Sequence, residues 1–307
     1  MTTVARRHDI DPGQVKEVAG GVANRAFVLG DDLFLRASRP GYEADLRKET
    51  HVVPAARLVG VLTPEILEYD ETHQLLAAPY VVMQRIHGAE PTDAPTALAE
   101  QLTRLHQLQH TPDPTLTPEL PGPGPAIPGV PGKPGLSVAI PGVPEDDWGD
   151  PWRIVDDLAT RGYVDPATAN WLTGWFTRLA ERFDDSAPKV LIHGDVAAHN
   201  LLVGPGNELR ALIDWGDAAW APRAMEFAKL PLNQVTKLLP AYAQQSPDSE
   251  EELAAAILWF HLSWALAKLP APPWPGQRHW TAPTAGRLLG ILHFFTTTPP
   301  DPWRDLT

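Results

Sequence analysis

Strand-type patterns are concentrated in roughly the first ninety residues of the chain, whereas helical patterns dominate the rest. Phe27, Val28 and Leu29 precede a turn at 30–32, and three more apolar residues follow it, which predicts a hairpin. A second apolar run follows at 80–83, and a helix fits residues 42–58 between the two. This order favours an α+β fold with a small strand-rich lobe at the N-terminus.

Residues beyond 88 carry the spacing typical of helices. Apolar residues recur at 98, 102, 105 and 108, and helical patterns return at 151–159, at 165–183 and after residue 214. We therefore predict two lobes, residues 1–88 and residues 89–307, with the second lobe mainly helical.

Residues 111–150 form a segment dense in proline and glycine inside the second lobe. Such a composition excludes regular helix and central strand, and it predicts an extended surface excursion with polyproline-II character. Both ends are anchored in one lobe, so we expect a lid or wall over a substrate and not a spacer between domains.

Composition narrows the classes of partner. The chain has 307 residues, a formal charge of -13 and no cysteine, which disfavours nucleic acid and anionic membranes and excludes disulfides and thiolate metal sites. The start of the chain has no apolar segment of signal-peptide length, and the apolar run 253–269 is interrupted by polar residues. We expect a cytoplasmic protein with no membrane contact, and the sequence leaves its oligomeric state open.

The stretch VLIHGDVAAHNLLV, residues 190–203, places polar side chains between two runs of strand-forming residues. Asp195 and Asn200 lie five residues apart in the polar part, and a further apolar run ends at Asp214. Three oxygen-bearing side chains at strand ends suit a hard cation such as magnesium, which binds few protein oxygens together with phosphate and water. Phosphoryl transfer needs such positioning and charge neutralisation, with a carboxylate to accept the proton of the attacking hydroxyl.

The paired motifs HGDVAAHN (193–200) and IDWGDA (213–218) resemble the catalytic signature of the aminoglycoside phosphotransferase family. That family comprises small-molecule kinases related to choline kinase, with the bilobal fold of protein kinases. The resemblance implies that Asp195 is the catalytic base, that Asn200 and Asp214 hold magnesium, and that His193 braces the loop. It also implies ATP as phosphate donor, with GTP left open.

The N-terminal lobe is similar to the same family at the positions that bind the nucleotide. The residues that match are Gly20, Gly21, Asn24, Arg36, Glu49, Met83, Gln84 and Ile86. The first three correspond to the hairpin that covers the phosphates, and the last three to the hinge that receives adenine. Arg36 takes the place of a phosphate-contacting lysine, with Glu49 as its ion-pair partner. The sequence departs from the family at Glu226, where aspartate is usual, in a position whose role is structural.

Two other functions compete with a kinase. A metal-dependent hydrolase would use His193, Asp195, His199 and Asp214, which are all metal-ligand types, but it leaves the small lobe unexplained. A nucleotide-binding regulator without transfer would usually lack the base or a metal ligand, and here all three residues are present. We therefore predict an ATP-dependent kinase for a small hydroxylated acceptor that is antibiotic-like or amine-bearing. The net negative charge weakly favours an acceptor that carries an amine.

Overall fold

The computed structural model describes residues 1–18, 21–110, 136–146, 149–184, 186–272 and 284–307. Gly20 and residues 111–135 of the segment rich in proline and glycine lie outside these ranges. The expected phosphate contact of Gly20 and the expected lid therefore stay predictions.

The N-terminal part of the chain is a five-stranded antiparallel sheet in the order β1-β2-β3-β5-β4. Its strands are β1 (Val15–Val18), β2 (Asn24–Leu29), β3 (Leu33–Ser38), β4 (Ile66–Asp70) and β5 (Tyr80–Gln84), preceded by the short helix α1 (Thr2–Arg7). The predicted hairpin is present, because β2 pairs with β3 from Asn24↔Ser38 to Leu29↔Leu33. Phe27, Leu29 and Leu35 are buried together on one side of this sheet.

Helix α2 (Glu43–Leu58) connects β3 to β4 and begins one residue after the predicted start. Acidic residues in its first turn favour the helix N-terminus through the dipole of the backbone. The helix buries Leu46, Val52 and Val53, and Glu49 is buried among them with only 2% of its surface exposed. A carboxylate so placed needs a charged partner, which the neighbouring strand β3 supplies.

The rest of the chain is mainly helical. Its helices are α3 (Leu98–Leu105), α4 (Pro151–Thr160), α5 (Pro166–Ala180), α6 (Leu232–Ala243), α7 (Glu250–Lys268) and α8 (Gly286–Thr296). Asp150 and Asp165 cap α4 and α5, each followed by a proline in the first helical position. A capping box between Ser249 and Glu252 starts α7.

Short strands in this part of the chain carry the polar stretch 193–200. They are β6 (Leu108–His110), β7 (Leu136–Val138), β8 (Val190–Ile192), β9 (Leu201–Val203), β10 (Leu209–Leu212) and β11 (Ala219–Ala221). Strands β9 and β10 pair with each other, and the other four form a sheet in the order β11-β8-β6-β7. Strand β7 belongs to the segment rich in proline and glycine, and it lies at the edge of its sheet, the place where such a segment can pair.

Helix α7 is apolar on nearly all sides and is buried, as the run 253–269 predicted. Within the described ranges, no helix is long and apolar enough to cross a membrane. The division into a sheet-rich N-terminal part and a helical C-terminal part is the predicted α+β class. The boundary at residues 88 and 89 stays a prediction.

Candidate active site

The loop after β8 is fixed by a buried carboxylate. Glu226 is 1% exposed, and its two oxygens accept hydrogen bonds from the backbone N–H groups of His193 (2.6 Å) and Gly194 (3.0 Å). Gly194 has a φ of +78°, and a β-carbon there would collide with the carbonyl oxygen of Asp217. The His193 ring contributes a third link, since Nε2 lies 3.0 Å from the carbonyl oxygen of Ile213. These contacts hold the loop in one conformation immediately before Asp195.

This anchoring makes a testable prediction for stability. Glu226→Ala leaves the buried N–H of His193 and the partly buried N–H of Gly194 without their acceptor, and we expect a loss of about 1–3 kcal/mol of unfolding free energy. Chemical denaturation of the variant measures the loss. The exposed Glu208 provides the control, because Glu208→Ala removes no buried hydrogen bond. Equal stability of the two variants would show that the loop does not depend on Glu226.

Asp195 lies at the centre of a cluster of polar side chains. Its Oδ2 accepts a hydrogen bond from Asn200 Nδ2 (2.8 Å) and lies 3.3 Å from His199 Nε2. Its Oδ1 lies 3.0 Å from the Nζ of Lys229. Burial opposes the charge, but hydrogen bonding to His199 and the charge of Lys229 outweigh it and hold the pKa of Asp195 below its usual range. Asp195 is therefore ionised at neutral pH, as a proton acceptor must be.

Asn200 and Asp214 come from neighbouring backbone segments. Asn200 is 3% exposed immediately before β9, and its carbonyl oxygen accepts a hydrogen bond from the N–H of Ile213 (3.0 Å). Asp214 follows with a φ of +67°, an unusual conformation for a residue other than glycine. Such strain persists only where the surroundings enforce it, and it often marks functional sites. One amide and one carboxylate placed in this way form a donor set suited to magnesium, with phosphate and water completing the shell.

Arg36 connects the two parts of the chain through a buried ion pair. Its Nη1 donates to both oxygens of Glu49 (2.7 Å each), and its Nη2 donates to Asp214 Oδ1 (2.6 Å). Burial disfavours the charged guanidinium, but Glu49 and Asp214 together raise the pKa of Arg36. The cation predicted to contact phosphate thus lies beside the carboxylate predicted to bind magnesium.

A cleft of about 660 Å³ lies between the sheet and the loop that carries these groups. Nine of the predicted site residues line it: Gly21, Asn24, Arg36, Glu49, Met83, Gln84, Ile86, Asn200 and Asp214. Gly21 has a φ of +81°, and a β-carbon there would lie 2.8 Å from the carbonyl oxygen of Asn24. Asn24 Oδ1 is buried without a hydrogen-bond partner among the described residues. A buried polar atom of this kind on a cleft wall suits contact with a polar ligand.

The sequence did not indicate Lys229 as part of the site. It ends the 3-10 segment Arg223–Lys229, and its Nζ lies near both Asp195 and Asp217. The one signal in the sequence is that Lys229 has apolar residues on both sides, at 227–228 and at 230–232. His199, which the hydrolase alternative would use as a metal ligand, is partly buried, and its Nε2 lies 3.3 Å from Asp195 Oδ2.

The hydrolase alternative requires several histidines and carboxylates around one metal ion. Among the residues that the structure describes, no group of three or more such side chains is placed to hold one. His193 is fully buried, with its ring engaged by Ile213 and by the N–H of Asp195. The geometry gives the hydrolase no support.

We compared the chain with known proteins to identify its family. The model of the phosphotransferase enzyme family, APH, matches residues 14–259. No curated protein matched the chain.

Solved structures share the fold at low sequence identity. A variant of aminoglycoside 2'-phosphotransferase-IIIa in its GDP complex is 18% identical with a TM-score of 0.61, over 97% of each chain. The streptomycin–ATP ternary complex of APH(2'')-IIa is 12% identical with a TM-score of 0.57, over 92% of each chain. Macrolide 2'-phosphotransferase type I is 16% identical with a TM-score of 0.53, over 87% of this chain and 89% of the other.

These structures confirm the predicted kinase-like bilobal fold, and the family match spans most of the chain, including both motifs. The chain therefore belongs to the phosphotransferase enzyme family, whose members transfer a phosphoryl group to a hydroxyl acceptor.

Proposed function

We propose that this protein is a magnesium-dependent kinase that transfers the γ-phosphate of ATP or GTP to a hydroxyl group of a small molecule. The observation that carries the proposal is the continuous set of contacts from Glu49 through Arg36 to Asp214, at a cleft that Asn200 and the predicted hinge also line. Asn200 in turn donates a hydrogen bond to Asp195. A nucleotide-binding wall, two oxygen ligands and a base are therefore adjacent.

Each residue has a role that follows from its chemistry. Asp195 accepts the proton of the acceptor hydroxyl as its oxygen attacks the γ-phosphorus. Asn200 and Asp214 hold magnesium, which when bound neutralises phosphate charge and polarises the phosphoryl group. Arg36, oriented by Glu49, contacts the remaining phosphates through its planar guanidinium.

The residues of the cleft do not distinguish between adenine and guanine as the base of the donor nucleotide. Met83, Gln84 and Ile86 line the cleft at the end of β5 and beyond it, where backbone groups receive a purine. Backbone recognition accommodates both adenine and guanine. One similar structure was solved with GDP and another with ATP, which supports nucleotide use without deciding between the two purines.

The acceptor is proposed by class only. Similar structures were solved with kanamycin and with streptomycin, which are hydroxylated amines. The formal charge of -13 also suits a cationic acceptor. We therefore propose a small hydroxylated acceptor that is antibiotic-like or amine-bearing.

Magnesium dependence tests this assignment without knowledge of the acceptor. Asp214→Ala should remove most of the tightening of ATP binding that magnesium produces, because it deletes the carboxylate ligand. Isothermal titration calorimetry with ATP, with and without magnesium, measures the effect. Asp157→Ala serves as a comparison, since Asp157 is 57% exposed on α4 and is not part of the cleft lining. Unchanged magnesium dependence in Asp214→Ala would remove this residue from the metal site.

A further inference from the structure

Lys229 is positioned as the charged partner of the proposed base. Its side chain is only 16% exposed, and its Nζ lies 3.0 Å from Asp195 Oδ1 and 3.4 Å from Asp217 Oδ2. The ammonium group also lies 5.6 Å from the centre of the Trp264 ring, within cation–π range. The position of this cation is thus set by two carboxylates and an aromatic face.

The two oxygens of Asp195 have different surroundings. Oδ2 is held by Asn200 and His199, which belong to the same loop. Among described residues, Oδ1 has Lys229 as its close charged neighbour. Oδ1 is therefore the oxygen that the acceptor hydroxyl can approach, and Lys229 occupies the place beside it.

Lys229 is in contact with the residue beside which the acceptor and the γ-phosphate must meet for transfer. With its Nζ 3.0 Å from Asp195 Oδ1, the ammonium group can exchange this carboxylate for a second anion that binds beside it. The γ-phosphate of the nucleotide is the anion that enters this site, and lysine has a flexible stem and three donors with which to reach it.

We propose that Lys229 is a catalytic residue that pairs with Asp195 in the free protein and donates to oxygens of the γ-phosphoryl group from nucleotide binding through transfer. This inference rests on the proposed kinase function. In the step, the acceptor oxygen forms a bond to the γ-phosphorus while the bond from that phosphorus to the β–γ bridging oxygen breaks. The nucleoside diphosphate leaves with the electron pair, and the acceptor proton passes to Asp195 and then to solvent. Lys229 takes no part in this proton transfer and offsets charge on the phosphoryl oxygens.

The test compares two nucleotides that differ only by the terminal group. Magnesium complexes of ADP and of the non-hydrolysable ATP analogue AMP-PNP are titrated by calorimetry into wild type, Lys229→Met and Lys229→Arg. Loss of a charge-assisted hydrogen bond should weaken AMP-PNP by about tenfold in Lys229→Met, with ADP unchanged. Lys229→Arg should retain part of the preference for AMP-PNP, because it keeps a cation.

Lys237→Met is the matched control. Lys237 is 61% exposed on α6, 3.5 Å from the equally exposed Asp93, and should alter neither affinity. Thermal melting of each variant establishes that it is folded. The double variant Asp195→Asn, Lys229→Met should bind AMP-PNP about tenfold more weakly than the single variant Asp195→Asn, because the contact is with phosphate and not only with the base.

The outcomes separate this inference from the proposed function. Failure of the wild-type protein to bind either nucleotide would overturn the proposed function itself. Wild-type binding of both, with Lys229→Met changing the two affinities equally or not at all, would overturn the role of Lys229. Disappearance of the effect in the Asp195→Asn background would also overturn it, since Lys229 would then act only through Asp195.

Discussion

Replacing Asp195 with asparagine should lower the rate of phosphoryl transfer by about 10²–10⁴-fold, because the amide cannot accept the proton of the acceptor. The affinity for the magnesium–nucleotide complex should remain close to that of the wild-type protein, since Asp195 acts on the acceptor and does not line the nucleotide cleft. Steady-state kinetics with an identified acceptor give the rate, and calorimetry gives the affinity. Asp157→Asn is the control, because Asp157 is 57% exposed on α4.

Two results would contradict this role for Asp195. Near-full turnover by Asp195→Asn would exclude the residue as the base. Stoichiometric zinc in the purified protein, together with hydrolysis that needs no nucleotide, would favour the hydrolase alternative instead.

The second large effect concerns stability. Arg36→Met should lower the free energy of unfolding by about 3–5 kcal/mol, because it leaves Glu49 buried without its cation. Glu49 is 2% exposed and both of its oxygens bind Arg36, so the remaining carboxylate cannot reach water in the native structure. Urea denaturation measures the loss. Arg25→Met is the control on the neighbouring strand, since Arg25 and Glu17 form an exposed pair whose loss should change stability little.

The Arg36→Met variant should also respond to pH in a defined direction. Complete burial raises the pKa of Glu49 even while Arg36 opposes the shift, and removal of Arg36 raises that pKa further. A carboxyl whose pKa is raised on folding contributes stability below its unfolded pKa and loses it as the pH rises through the folded value. The stability deficit of Arg36→Met should therefore be smaller at mildly acid pH than at neutral pH. A deficit that is constant with pH would show that Glu49 does not titrate in the variant.

The sequence predicted those features whose signals are local. The hairpin of β2 and β3 followed from a turn between apolar runs, and the helix at 151 followed from the helical spacing of residues 151–159. The motif residues Asp195, Asn200 and Asp214 could be selected because their types and spacing match the needs of a metal ion and a base. In the structure, Arg36 contacts both Glu49 and Asp214, although Asp214 is 178 residues away in sequence.

Other features depend on contacts that no local pattern encodes. Lys229 belongs to no motif, yet the 3-10 segment Arg223–Lys229 brings its ammonium group to 3.0 Å from Asp195 Oδ1. Glu226 was assigned only a structural role, and its two hydrogen bonds to the loop backbone are set by tertiary packing. His199 was considered from sequence as a metal ligand of the hydrolase, and its contact with Asp195 is set by the folded loop.

The most direct measurement of the central claim is mass spectrometry of hydroxylated antibiotics and metabolites after incubation with the protein, magnesium and either ATP or GTP. We predict that an acceptor gains one phosphoryl group on a hydroxyl while an equal amount of nucleoside diphosphate appears. The reaction should stop when magnesium is removed and nearly stop in Asp195→Asn. Phosphorylation that proceeds equally in Asp195→Asn, or conversion of the compounds without any nucleotide, would contradict the account.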